Sequence, residues 1–275
     1  MRFQAKLIQI IALGIVTTLL APTQSRAQTA ADNDASDRNA DSGPQNLMDD
    51  IKEYATAPLH WKSENWLYFG GTLVAIGAAH HYDDQVRTHF TAAASTTTNN
   101  VDTHDRKDAM PAAAAVAGTW LYATLINDAD GRSETWSMLE AAALSSTTGL
   151  ILKYAAGRER PNQTADDNRW REGADSFPSL HVTAAFAIGT VLAESGNDRY
   201  RWIRRFLGYG IATATGYERL KHNAHWLSDT VAGAALGMAS AHFVMNRANS
   251  SSRDSAVMWV PLDRGVMLTY SAVLH

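Results

Sequence analysis

Alanine-rich stretches with apolar residues at helical spacing alternate along this chain with short polar breaks. A segment with an apolar stripe every 3.6 residues must bury it against a like segment, so this succession predicts an all-α helical bundle. The spacing predicts helices over Leu47 to Tyr54, Asn65 to His80, Ala109 to Asn127, Glu134 to Ala156, Ser179 to Glu194, Arg199 to Tyr217 and His225 to Arg247. The breaks, Ser95 to Asp108, Asp128 to Arg132 and Asn162 to Phe177, are dense in Asp, Asn, Thr, Gly or Arg. Only the tail, residues 251–275, reads otherwise. There Val257 to Pro261 and Val266 to Val273 flank Asp263-Arg264-Gly265, which predicts a short C-terminal β-hairpin.

The first 27 residues read as a secretory signal. Arg2 and Lys6 precede an apolar stretch from Leu7 to Ala21, and Ser25-Arg26-Ala27 supplies a small-x-small cleavage site. Residues 28–46 are polar and nearly free of large apolar side chains, so they are expected to be a disordered lead-in to the domain at 47–250. With no cysteine, the chain has neither disulfides nor a thiolate metal site. A net charge of −4 gives no basic stripe for nucleic acid. The longest uncharged run, Met110 to Asn127, barely reaches a membrane-spanning length, charges interrupt nearly every other candidate, and the mean hydropathy is −0.23. The expectation is an exported, periplasmic domain, free or resting on the membrane surface, with an integral membrane bundle as the alternative.

Three clusters carry chemistry: Lys153 with Arg160-Pro161, Pro178-Ser179-Leu180-His181, and Arg219 followed by His225 and Asp229. Together they hold three fixed cations, two histidines, a helix start and a carboxylate. Phosphoryl transfer needs such parts, because most of its catalysis is positioning and neutralisation of charge on the equatorial oxygens. His225 and Asp229, four apart on a predicted helix, share a face, so Asp229 can accept the Nδ1 proton and present Nε2 as a nucleophile. A helix-surface His–Asp pair gives the same spacing. Pro178-Ser179 suits a helix N-terminus, whose free N–H groups and serine hydroxyl face an anion. A capping serine beside an ordinary histidine is the plainer alternative.

These clusters, in this order and spacing, resemble the type 2 phosphatidic acid phosphatase (PAP2) and vanadium haloperoxidase superfamily over roughly residues 140 to 245. The resemblance implies a helical bundle of that type. It assigns His225 as nucleophile, Asp229 as its orienter, and His181 as general acid and later base. Lys153, Arg160, Ser179, the Leu180 N–H and Arg219 hold the phosphoryl oxygens. Two positions depart: Leu180 stands where the family has Gly, and Glu218 where it has Ser. If the family's Gly serves a positive φ, Leu180 is strained; if only its N–H is used, Leu180 serves and shapes the pocket.

The expected activity is therefore a metal-independent, cofactor-free phosphatase acting on phosphomonoesters or lipid (pyro)phosphates through a phosphohistidine. The alternatives are a vanadate-dependent haloperoxidase, and a non-catalytic envelope protein binding phosphate or lipid headgroups. Arg158, off the motif, reads as solvated surface charge. His80-His81 with Asp83-Asp84 raises a metal site, which the 100° between adjacent helical residues disfavours. Trp61, Trp66, Tyr68 and Phe69 are expected in the core, with a membrane-facing aromatic patch as the alternative. Residues 162–177, with Arg169, Trp170 and Arg171, are expected to shape the entrance.

Overall fold

A computed structural model describes residues 53–54, 56–93, 101–125, 129–195, 200–248, 255–262 and 265–272. The predicted leader, lead-in and most of the helix expected at 47–54 lie outside them. The described residues before Trp61 belong to a unit of their own, with a 3-10 turn at Ala57–His60. The other unit, from Trp61 onward, contains α1 (Ser63–His81), α2 (Asp83–Ala93), α3 (Val101–Leu125), α4 (Ala129–Ala156), α5 (Leu180–Glu194), α6 (Arg201–Lys221) and α7 (Leu227–Ala248). A hairpin of β1 (Ser255–Leu262) and β2 (Gly265–Ala272) follows, paired antiparallel from Ser255↔Ala272 to Leu262↔Gly265. The architecture is thus the expected helical body with a small terminal hairpin.

Three differences from the predicted elements have physical causes. Helix α2 falls where none was expected. Its apolar signal is short, but Val86 and Phe90, four apart, are both buried, and Asp83 and Asp84 sit where a helix N-terminus favours negative charge. Helix α3 begins at Val101, inside the predicted break, because polar composition alone does not stop a helix. Helix α6 runs on to Lys221 and α7 begins at Leu227, so Arg219 is helical and His225 precedes its helix.

Helix α5 is the centre of the bundle, packed against α3, α4, α6 and α7. Small residues make this possible. A Cβ added to Gly189 of α5 would lie 2.5 Å from the carbonyl oxygen of Gly208 on α6. One added to Gly233 of α7 would lie 2.7 Å from the carbonyl oxygen of Ser179. The second approach matters for chemistry, since it seats the N-terminus of α5 on the first turns of α7. Met138, Ala141, Ala185, Ala187, Val191, Ala212, Ala241 and Val244 fill the core between these helices.

Many large apolar side chains face outward instead. Trp202 and Phe206 of α6 are 72% and 75% exposed, Leu67 and Val74 of α1 76% and 73%. Trp61, Trp66 and Phe69 stack edge to face with centroids 5.2–6.0 Å apart, and Trp66, Tyr68 and Phe69 are exposed. The core role expected for these aromatics is therefore wrong. Helical spacing shows that a face exists but not which medium it meets. No helix among the described residues is long and apolar enough to cross a membrane.

Candidate active site

Helix α4 ends at Ala156, and Gly157 follows in the left-handed region at φ +55°. A Cβ there would sit 3.1 Å from Gly173 N, so glycine both ends the helix and admits the returning loop. The chain then doubles back: Arg171 N donates to Ala156 O and Glu172 N to Gly157 O, each at 2.9 Å, and Ser176 N to Arg158 O at 2.8 Å. This brings Lys153, from the last turn of α4, beside Arg160 and Asp175. Lys153 Nζ donates to Asp175 O, and the Arg160 fork holds the Asp175 carboxylate at 2.8 and 2.9 Å. Burial pushes the Lys153 ammonium down to about 8, despite the pull of Asp175 in the other direction. The Arg160 hydrogen bonds hold Asp175 below the usual carboxylate value.

Ser179 is the residue before α5, extended at φ −76°, and it makes no side-chain cap bond. Its hydroxyl is fully buried without a hydrogen-bond partner, an orphan donor at a helix N-terminus. Leu180 opens the helix. The positive-φ non-glycine residues among those described are Arg171 and Asn223, so leucine here carries no such strain. Its side chain occupies space that Gly149 leaves open on α4, where a Cβ would come within 2.6 Å of Leu180 Cδ2. Of the two readings of this departure from the family pattern, the unstrained one holds.

Arg219 is buried in the last turn of α6, and Ala224 N donates to its carbonyl at 3.0 Å, closing the turn that leads to His225. Glu218, the other departure, contacts Lys221 at 3.3 Å and His222 at 3.5 Å. His225 is buried, and its imidazole is held well below its ordinary 6.5, first by burial and then by the charges of Arg160, Arg219, Lys153 and His181. Residues scattered over seventy positions thus act electrostatically on one imidazole, which is neutral at pH 7.

The expected hydrogen bond from His225 to Asp229 is not made. Nδ1 and Oδ2 are 3.6 Å apart, beyond hydrogen-bond range though within that of an ion pair. The i,i+4 argument required both residues to be helical, whereas α7 begins at Leu227. Asp229 instead reaches back across the first turn of α7, its Oδ2 accepting from Trp226 N–H at 2.9 Å and from Ser176 Oγ at 2.5 Å. Its Oδ1 accepts from Arg158 at 2.7 Å. Burial pushes the Asp229 carboxyl up, and Arg158, Ser176 and the Trp226 N–H pull it back.

Arg158 is the largest error of the sequence reading. It is fully buried, not solvated, and paired with Asp83 as well as Asp229. Its neighbour Trp170 stacks on the guanidinium with 4.4 Å from Cζ to the ring centroid. The candidate metal group among the described residues is His80, Asp83 and Asp167, without His81 or Asp84. The Arg158 guanidinium lies 2.8 Å from Asp83 Oδ2 and 3.2 Å from His80 Nδ1 within that cluster. Asp175 and Ser176 were missed, though they adjoin the Pro178-Ser179 motif; Asp83 was read only as part of a metal group and Arg158 only as surface charge.

An apolar cavity of about 590 Å³ opens between α3, α4 and α5. Val116 and Trp120, Trp136 and Leu139, and Leu180 and Ile188 line it, and His181 forms part of its wall.

Residues 134–253 match the model of the PAP2 superfamily. The lipid A 1-phosphatase of Porphyromonas gingivalis is 35% identical over 113 residues, which cover 39% of this chain and 23% of that protein. The match therefore spans less than a quarter of that relative. Two crystal structures are similar to this chain. Aquifex aeolicus LpxE has a TM-score of 0.40 at 21% identity, covering 58% of this chain and 93% of the other. The transmembrane PAP2 type phosphatidylglycerolphosphate phosphatase of Bacillus subtilis has a TM-score of 0.46 at 20% identity, covering 68% and 96%.

Proposed function

We propose that this chain, whose residues 134–253 match the PAP2 superfamily model, is a metal-independent lipid phosphate phosphatase working through a phosphohistidine. The observation that carries the reading is the buried, neutral His225 with Lys153, Arg160, Arg219 and His181 acting on it electrostatically. Three cations supply the charge that a transferring phosphoryl group requires, and the orphan Ser179 hydroxyl adds a donor.

His225 Nε2 attacks phosphorus while the ester P–O bond breaks, and His181 gives its proton to the leaving oxygen. Water then attacks the phosphohistidine, His181 takes the water's proton, and the P–N bond breaks to release inorganic phosphate. Asp229 orients His225, and their 3.6 Å contact shortens as positive charge develops on the ring. The apolar cavity beside His181 suits a leaving group that carries a hydrocarbon tail. A named lipid A 1-phosphatase among the relatives favours a lipid substrate for the same reason. The outward apolar faces of α1 and α6 seat the domain against a lipid surface, and residues 1–27 export it to the periplasm.

The test is release of inorganic phosphate from phosphatidic acid and lipid A in detergent micelles, with chelator present, by the full chain and by His225→Ala. Turnover in the first and loss of at least about 1000-fold in the second is the expected result. Equal rates in the two would refute the nucleophile assignment.

A further inference from the structure

Arg158 is fully buried, and its bonds tie its own loop, through Asp167, to the distant Asp83 and Ser228-Asp229. Nη1 donates to Ser228 Oγ at 2.8 Å and to Asp229 Oδ1 at 2.7 Å. Nη2 donates to Asp83 Oδ2 at 2.8 Å and to Asp167 O at 2.7 Å, and Nε to the same carbonyl at 3.2 Å. Trp170 and Trp226 flank Cζ at 4.4 and 5.2 Å, which shields the group from water.

Asp83 completes the arrangement. It opens α2, yet it caps α7: Oδ1 accepts from Ser228 N at 2.8 Å and Oδ2 from Ser228 Oγ at 2.6 Å. Both carboxylates are fully buried, and one guanidinium is shared between them. Asp229 in turn holds Trp226 N–H, next to His225, and its carbonyl accepts from Ser179 N at 3.2 Å. The path from Arg158 to the nucleophile and to the head of α5 is therefore one residue deep on each side.

We propose that Arg158 is a positioning residue of the phosphatase reaction: with Asp83 and Asp229 it clamps the turn that presents His225 and docks Ser179 beside it. The inference rests on the reading of His225 as nucleophile. Arg158 touches no part of the substrate, since its donors are spent on Asp83, Asp167, Ser228 and Asp229. A lysine cannot replace it, because a single ammonium does not span two carboxylates and a carbonyl.

The experiment compares the full chain with Arg158→Met, Arg158→Lys and the pair Arg158→Met/Asp83→Asn. Hydrolysis of phosphatidic acid is measured per folded molecule, and backbone hydrogen exchange over residues 222–232 is followed in parallel. The clamp predicts kcat lower by about 100-fold with KM within about twofold, because the phosphate cations are untouched and a misplacement near 1 Å suffices. It also predicts faster exchange in that segment while the middle of α5 keeps its protection. The paired variant leaves one buried carboxylate, Asp229, without the guanidinium where Arg158→Met leaves two, so it is the less destabilised of the two, yet kcat stays low. If Arg158→Met does not fold, the paired variant and Arg158→Lys give the same comparison. Unchanged kcat per folded molecule, or unchanged exchange at 222–232, overturns the proposal. If the unmodified chain is silent on phosphatidic acid, it is the phosphatase reading that falls. The exchange comparison then decides the clamp alone, faster exchange supporting it and unchanged exchange refuting it.

Discussion

Raising the pH through 8 should weaken anion binding at this site, because the Lys153 ammonium, pushed down to about 8 by burial, loses its proton there. The distance from the ordinary 10.5 corresponds to about 3 kcal/mol of disfavour for the charged form in the folded chain. A bound dianion reverses that disfavour by supplying an opposite charge in the same low-dielectric space. Binding and protonation are then linked. Above pH 8 the dissociation constant rises by up to tenfold per pH unit, or up to about 30-fold at pH 9.5. Sulfate is the probe, because its charge is constant over this range, and calorimetry at fixed ionic strength reads its affinity without depending on turnover. His225, held well below 6.5, stays neutral throughout the window. In Lys153→Arg the cation does not titrate, so the affinity should stay flat. A flat profile in the unmodified chain, or an equal rise in the arginine variant, would refute the argument. The linked stability has the opposite slope. The unfolded chain keeps this proton to about 10.5 while the fold sheds it near 8, so the unfolding free energy contributed by Lys153 rises between those values.

Two further predictions follow from contacts around the same site. Gly149→Ala gains about 1 kcal/mol of helix propensity but drives its Cβ to 2.6 Å from Leu180 Cδ2, an overpacking that costs about 1–3 kcal/mol. In a Leu180→Ala background the clash is gone and the same change should stabilise, so urea unfolding of the four combinations must show a change of sign, not additivity. Asp175→Asn removes the carboxylate that occupies the Arg160 fork. KM for a phosphate ester should fall by about two- to fivefold at low ionic strength, less in high salt, and an unchanged KM would mean that Asp175 does not compete for the fork.

The helical body was legible because its evidence is local. Alanine-rich runs at helical spacing and the polar, Asp-rich breaks are properties of neighbouring residues, and six of the predicted helices differ in the structure mainly at their ends. Those ends decided the chemistry. Four residues of spacing made His225 and Asp229 a pair on paper; the start of α7 at Leu227 put His225 outside the helix and turned Asp229 into a cap. The aromatic residues of α1 showed the same limit, since spacing defines a face and the packing of the other helices decides whether that face is covered.

Legible in the sequence alone was a set of candidate groups in a fixed order: Lys153, Arg160, Ser179, His181, Arg219, His225 and Asp229, on a chain with no cysteine and no basic stripe. Their kind follows from the motif, because phosphoryl chemistry needs cations, a nucleophile and an acid whatever surrounds them. Only the tertiary structure decided how those groups are held. Close approach at Gly189 and Gly233 brings α5 against α6 and α7, and the left-handed Gly157 folds the 162–177 loop back on the end of α4. Arg158 and Asp83, 75 residues apart, then meet fully buried. The partner that Asp83 has close in sequence, His80 at 2.9 Å, gives no hint of Arg158. A buried charge must be matched by whatever the fold brings to it, and that match is a property of the folded chain alone.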